Sequence, residues 1–172
     1  MGLKRGTVKL EKYNSNWKKE FEKEKEKLSE LFGEVALSIE HIGSTSIPGL
    51  SAKPIIDIAV GVKSLADFAL VEDKFINSSD YSIKEDPTEG ELFVRKGPEE
   101  NRTHFIHIME IDGLRYIESI LFKEYLINNP IEIKKYEELK TELAEKYSGD
   151  RIMYTDSKDK FIKNILKKAM NN

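Results

Sequence analysis

The chain has 172 residues, 34% of them charged, and a formal net charge of −3. That length suits one domain with a buried core, and the charge balance holds no surplus of cations to attract nucleic acid, which is not an expected partner. Cysteine is absent, which excludes disulfides and thiol catalysis and removes the ligand that structural zinc sites use most.

Val8, Leu10 and Tyr13 lie in a short extended arm or edge strand. No segment has the apolar length of a signal peptide or a membrane span, so a cytoplasmic protein without a membrane partner is expected. Asn14 and Ser15 offer an N-cap to a helix that gathers Trp17, Phe21, Leu28, Leu31 and Phe32 on one face and stops at Gly33. Its other face, KKEFEKEKEK, alternates in sign and reads as solvated. Residues 36–42 read as a strand ending in the small-residue turn Gly43, Ser44, Thr45, Ser46. Pro48, Gly49 and Pro54 rule out a long helix before the next strand, residues 55–62. Ser64 can cap a helical segment reaching Ile76. Residues 81–83 and 91–96 read as strands around the polar turn EDPTEG, and a third strand, 103–110, follows another turn. Helices are predicted over 116–128, over 132–147 after a break at Asn129 and Pro130, and over 157–170 after a Ser-Gly-Asp turn. Strands in the middle with helices on either side predict an α+β (mixed α/β) fold, residues 1–172 forming one domain with a helical C-terminal part.

Asp57 sits inside an otherwise apolar, largely β-branched strand, which either a metal ion or a hydrogen-bonded core acid would explain. The turn at Gly43, Ser44 and Thr45 has the small residues and hydroxyls that let backbone N–H groups approach a phosphate. Lys53, Arg95 and Arg102 flank these segments and are expected to reach phosphate oxygens, and Glu40 offers a second acid. All three histidines, His41, His104 and His107, fall in predicted strands, and their clustering near Asp57 is expected. Period-two alternation puts Thr103, Phe105 and His107 on one face and His104, Ile106, Ile108 and Glu110 on the other. Asp57 and His107 then share a face if their strands are neighbours.

The run EHIGSTSIPGLSAKPIIDIAV closely resembles the signature of the GrpB-like family. The opening K-Y-N-x-x-W, R-T-H-F-I-H from Arg102, F-K-E-Y-L from Phe122, Y-x-x-L-K from Tyr136 and Y-T-x-x-K-x-x-F-I from Tyr154 extend the resemblance over nearly the whole chain. It implies membership of the nucleotidyltransferase superfamily, with a small mixed sheet flanked by helices, a nucleotide or other phosphorylated small molecule as ligand, and a divalent metal, magnesium or manganese. It implies phosphate contacts from Gly43 and Ser44 and a metal role for Asp57, with His107 standing where a later strand of such folds presents a third acid; the residues themselves add Thr45, Lys53 and Arg102 as expected phosphate contacts, and Asp57 with His107 as the expected catalytic and metal pair. The superfamily's Asp-x-Asp pair is half filled, because the partner positions hold Ile55 and Ala59, and Phe105 stands where family members keep a second histidine. The expected function is nucleotide binding, and whether the chain also performs metal-dependent nucleotidyl transfer to an acceptor is left open by the sequence. The alternative is a non-catalytic regulatory or interaction domain, since such domains occur fused to dephospho-CoA kinase. A further reading takes His107 as a general base tuned by Asp57.

Overall fold

The computed structural model describes residues 1–86 and 88–171, so Pro87 of the predicted EDPTEG turn lies outside the described residues. Five strands form one mixed sheet in the order β1-β2-β5-β4-β3: β1 (Ser38–Ile42), β2 (Ile56–Val62), β3 (Tyr81–Ile83), β4 (Leu92–Lys96) and β5 (His104–Glu110). The central pair, β2 and β5, is parallel, and the outer pairs are antiparallel. Its crossover carries β3 and β4 as well as helix, which gives the α+β arrangement.

Alternation gives this sheet two different faces. Ile56, Ile58, Val60 and Val62 of β2 and Ile106 and Ile108 of β5 are fully buried on one face, under Trp17, Phe21, Leu28 and Phe32 of α1 (Asn16–Phe32). The cap of α1 is the Asn14 carboxamide, whose Oδ1 accepts from Asn16 N at 3.0 Å, while the Ser15 side chain makes no cap bond. The charged face of α1 is not wholly solvated: Glu24 is buried, paired with Lys96 and accepting from the Tyr81 hydroxyl at 2.8 Å. The helix predicted up to Ile76 is two pieces, a 3-10 turn over Leu65–Leu70 and α2 (Glu72–Ile76). Ser64 and Asp67 close a capping box at the start, and Val71 leaves helical geometry, so that Phe68 and Phe75 both pack on Phe32.

The other face carries Ile42, Asp57, Ala59, Phe105, His107 and Met109 beneath the C-terminal helices α3 (Leu114–Asn128), α4 (Pro130–Lys146), α5 (Arg151–Asp156) and α6 (Asp159–Met170). Gly61 lets α3 come close: a Cβ there would stand 3.0 Å from the Tyr116 ring. Pro130 is the first residue of α4 rather than a gap, as its missing N–H allows. The helix α5 was not predicted; Asp150 caps it by accepting from Met153 N at 3.0 Å. Leu126, Tyr136 and Ile165 from three of these helices close on Ile47 and Leu50 of the β1–β2 crossing, which ties the helical layer to the sheet. Among the described residues, no helix is long and apolar enough to cross a membrane.

Candidate functional site

The crossing after β1, the second face of the sheet and the C-terminal helices enclose a cleft of about 520 Å³. Its floor begins at Gly43, which turns the chain with φ +67° directly under Asp57. A Cβ on Gly43 would stand 2.6 Å from Asp57 Oδ2, so glycine here makes room for the carboxylate as well as supplying the turn. Ser44 and Thr45 follow in a 3-10 turn whose own hydrogen bonds run from Ser46 and Ile47 to the Gly43 and Ser44 carbonyls, leaving the Ser44 and Thr45 amides unused by it. All three residues line the cleft, but the Thr45 hydroxyl is engaged with His41 Nε2 at 2.9 Å.

Parallel pairing of β2 with β5 puts Asp57 opposite Phe105 and Ala59 opposite His107, on the face the alternation predicts. His107 Nε2 stands 3.5 Å from Asp57 Oδ1, and its Nδ1 stands 2.5 Å from Glu91 Oε1. Glu91, just ahead of β4, is the second acid of the site, and Arg115 of α3 lies 3.5 Å from its other oxygen. Burial pulls the His107 ring down, but hydrogen bonds to Asp57 and Glu91 outweigh it and hold the ring at about 9. Burial pushes the Asp57 carboxyl up, yet the bond and charge of His107, with Lys53 and Lys158 beyond it, bring it below the usual carboxylate range. At neutral pH the ring is therefore an imidazolium between two carboxylates, with a proton on each nitrogen. In that form it has no free lone pair, so a role as metal ligand or general base would first require loss of a proton.

The histidines do not cluster. His41 stacks on Phe21 and His104 is buried near Glu20 and Glu24, both on the α1 side of the sheet, where burial holds each ring down at about 4 and neutral. Arg102 does not reach the cleft. Its buried guanidinium donates to the Gly97 carbonyl and to Ser82 Oγ, so it fastens the turn before β5. Arg95 packs on the Phe93 ring outside the cleft lining, and Glu40 pairs with Lys123 at 3.7 Å. Lys53 does line the cleft. It lies 5.7 Å from the centroid of Tyr154, and Lys158 lies 4.5 Å from the same centroid. Among the described residues neither ammonium group has a hydrogen bond or a carboxylate within 4.0 Å. Burial, then the neighbouring Lys158, pulls Lys53 down to about 7, and burial pulls Lys158 down to about 8. Phe93, Phe105, Phe122 and Tyr136 supply apolar walls, and Arg151 enters from α5.

Sequence reasoning missed Glu91, Lys158, Tyr154 and Arg151. The i,i+4 spacing of Tyr154 and Lys158 within Y-T-x-x-K was the available signal for two of them; Glu91 gives none, because its role depends on which strand lies beside β5. As a metal cage the cleft does not fit. Among the described residues no group of three or more His, Asp or Glu side chains converges on a point, and Asp57 keeps one carboxylate without its Asp-x-Asp partner.

The family model described as "GrpB protein" matches residues 7–168 of the chain. "Glutamate-rich protein GrpB" of Alkalihalophilus pseudofirmus is 40% identical over 170 residues, 96% of this chain and 98% of that protein. "UPF0157 protein YqkA" of Bacillus subtilis is 36% identical over 152 residues, 88% of this chain but 44% of that longer protein. A crystal structure of the conserved protein GrpB from Enterococcus faecalis superposes with a TM-score of 0.85 at 36% identity, covering 95% of this chain and 98% of that one.

Proposed function

This chain belongs to the GrpB family, and from its cleft we propose that it binds a phosphorylated small molecule of nucleotide type between the sheet and the C-terminal helices. The observation that carries this reading is the pair of cations, Lys53 and Lys158, that face one cleft with no carboxylate within 4.0 Å among the described residues. Charge that is half-buried without a close partner is costly, and an anionic ligand removes that cost. The aromatic walls at Phe93, Phe105 and Phe122 suit a planar base, and the turn at Gly43 and Ser44 offers amides to a phosphate. Strand, Gly-Ser turn, crossing and acid-bearing strand come in the order of a nucleotidyltransferase-like domain, and we assign the cleft to that class.

Binding without nucleotidyl transfer is the reading we favour within it. Two-metal phosphoryl transfer needs several carboxylate oxygens free to hold magnesium or manganese. Here Asp57 and Glu91 both face His107, and positions 55 and 59 hold Ile and Ala. What the residues present can do is orient an anion, screen it from water and hold a proton on His107.

Calorimetric titration with ATP, CTP, GTP and coenzyme A precursors, with and without magnesium or manganese, tests the proposal. Binding of at least one nucleotide is expected, and silence across the set would sink the reading. Pyrophosphate release from the bound nucleotide would overturn the preference for binding alone.

A further inference from the structure

We propose that the Lys53–Tyr154–Lys158 end of the cleft is a receptor for a terminal phosphate monoester in its doubly charged form, and that it takes up protons as the monoester binds. This rests on the anion-binding part of the function proposed above and names the group that enters first.

The charge balance of the cleft sets the valence. On the floor Asp57 and Glu91 are matched by His107 and Arg115, so β2, β5, β4 and the start of α3 together present no net charge. What remains is Lys53 from the crossing, Arg151 from α5 and Lys158 from the α5–α6 junction, against Glu118 of α3. The phenols of Tyr136 and Tyr154 are held neutral by burial. With both lysines protonated, three cations against one acid leave two positive charges in excess, which a monoester dianion balances and a diester only half balances. Arg151 is already engaged by the Lys4 and Thr7 carbonyls, so the mobile part of the receptor is the lysine pair. Both ammonium groups sit against the one Tyr154 ring, and their flexible stems let both turn to one acceptor.

Proton uptake follows from the same crowding. With no anion present, burial disfavours full protonation of both lysines, and at Lys53 the charge of Lys158 adds to it, as their low values of about 7 and 8 express. A dianion between them reverses the sign of that field, so protons are drawn from solvent on binding. Affinity therefore rises as pH falls from about 9 to about 7. It falls again below about 6, where the phosphate takes its own second proton.

The test is calorimetry on the intact chain near pH 8, in two buffers of different ionisation enthalpy, with phenyl phosphate, AMP, ATP and cyclic AMP as probes. The monoesters are expected to bind with net proton uptake, and cyclic AMP, a diester with the same base and sugar as AMP, to bind about tenfold or more weaker. Lys53→Met and Lys158→Met should each weaken AMP about tenfold. Lys158→Arg, a cation that cannot shed its proton, should reduce the uptake and so separates titration from folding defects. Cyclic AMP binding as tightly as AMP, or nucleotide binding without proton uptake, would overturn this inference and leave the nucleotide reading standing. Phenyl phosphate binding with uptake while every nucleotide fails would do the reverse, and failure of all four would overturn both.

Discussion

At the scale of single residues, two positions on the cleft floor make opposite demands. His107 gains two carboxylate partners on folding, which lifts its ring from an ordinary 6.5 to about 9. The folded state therefore binds the extra proton between those values. The stabilisation is complete below about pH 6.5 and is lost as pH rises through 9. An NMR titration should find the His107 ring charged at neutral pH, while the His41 and His104 rings stay neutral down to about 4. His107→Asn should remove the decline in stability between pH 6.5 and 9 that this group contributes, read from denaturant midpoints across pH. Gly43 demands the absence of a side chain. Gly43→Ala combines a positive φ with a Cβ 2.6 Å from Asp57 Oδ2, and should cost about 1–3 kcal/mol or more. In an Asp57→Ala background the 2.6 Å contact with Oδ2 disappears, while a 3.0 Å approach to the Cβ of residue 57 and the φ strain stay, so the double variant should recover part of the loss, measurable as a coupling energy in chemical denaturation. Strict additivity of the two substitutions would show that the close approach carries no energy.

At the scale of elements, α1 is held to the far edge of the sheet by a buried ion pair. Lys96 of β4 meets Glu24 of α1, with the Tyr81 hydroxyl of β3 on the other carboxylate oxygen, and Lys96 also lies over the Tyr81 ring at 5.4 Å. Lys96→Met leaves the Glu24 carboxylate buried and short of its cation and should cost about 3–5 kcal/mol. Glu24→Leu combined with Lys96→Met should be close to neutral, which thermal unfolding of the three variants would check. This pair marks the limit of what is legible in the sequence. Helices and strands were readable because Trp17, Phe21, Leu28 and Phe32 recur at helical spacing and β2 and β5 alternate. Face assignment on β5 was readable for the same reason, and with it the meeting of Asp57 and His107. Glu24 was not, since a buried acid in KKEFEKEKEK has the same local pattern as its solvated neighbours, and only the neighbour order β5-β4-β3 tells them apart. The same holds for Glu91, which reaches His107 through the pairing of β4 with β5, and for Arg102, whose partner Ser82 lies in β3 and comes near only through the order of the sheet.

At the scale of the whole molecule, the first residues of the chain join its two layers. On the sheet side, Gly2 N donates to the Pro54 carbonyl at 2.7 Å, Leu3 exchanges both bonds with Arg102 and Glu11 exchanges both with Ala52. On the helical side, Val8 N donates to the Ser148 carbonyl at 2.7 Å, Arg151 N to Gly6 at 3.1 Å, and the Arg151 guanidinium to the Lys4 and Thr7 carbonyls. Lys53 lies between Ala52 and Pro54, the two crossing residues the arm grips, so the backbone of one phosphate lysine is fixed by a segment that makes only single bridges. Each bridge is weak alone, and a two-residue contact cannot repay the entropy of ordering the arm from Gly2 to Glu11. The arm is then expected to hold or release as a unit, with Arg151 as the residue that commits it to α5. Arg151→Ala should speed amide exchange at Leu3, Val8, Glu11 and Ala52 together, and leave the amides of β2 and β5 protected at the level of the whole fold. Faster exchange confined to Val8 and α5, with Glu11 and Ala52 unchanged, would mean that the two halves of the arm are independent and that Lys53 is positioned by the crossing alone.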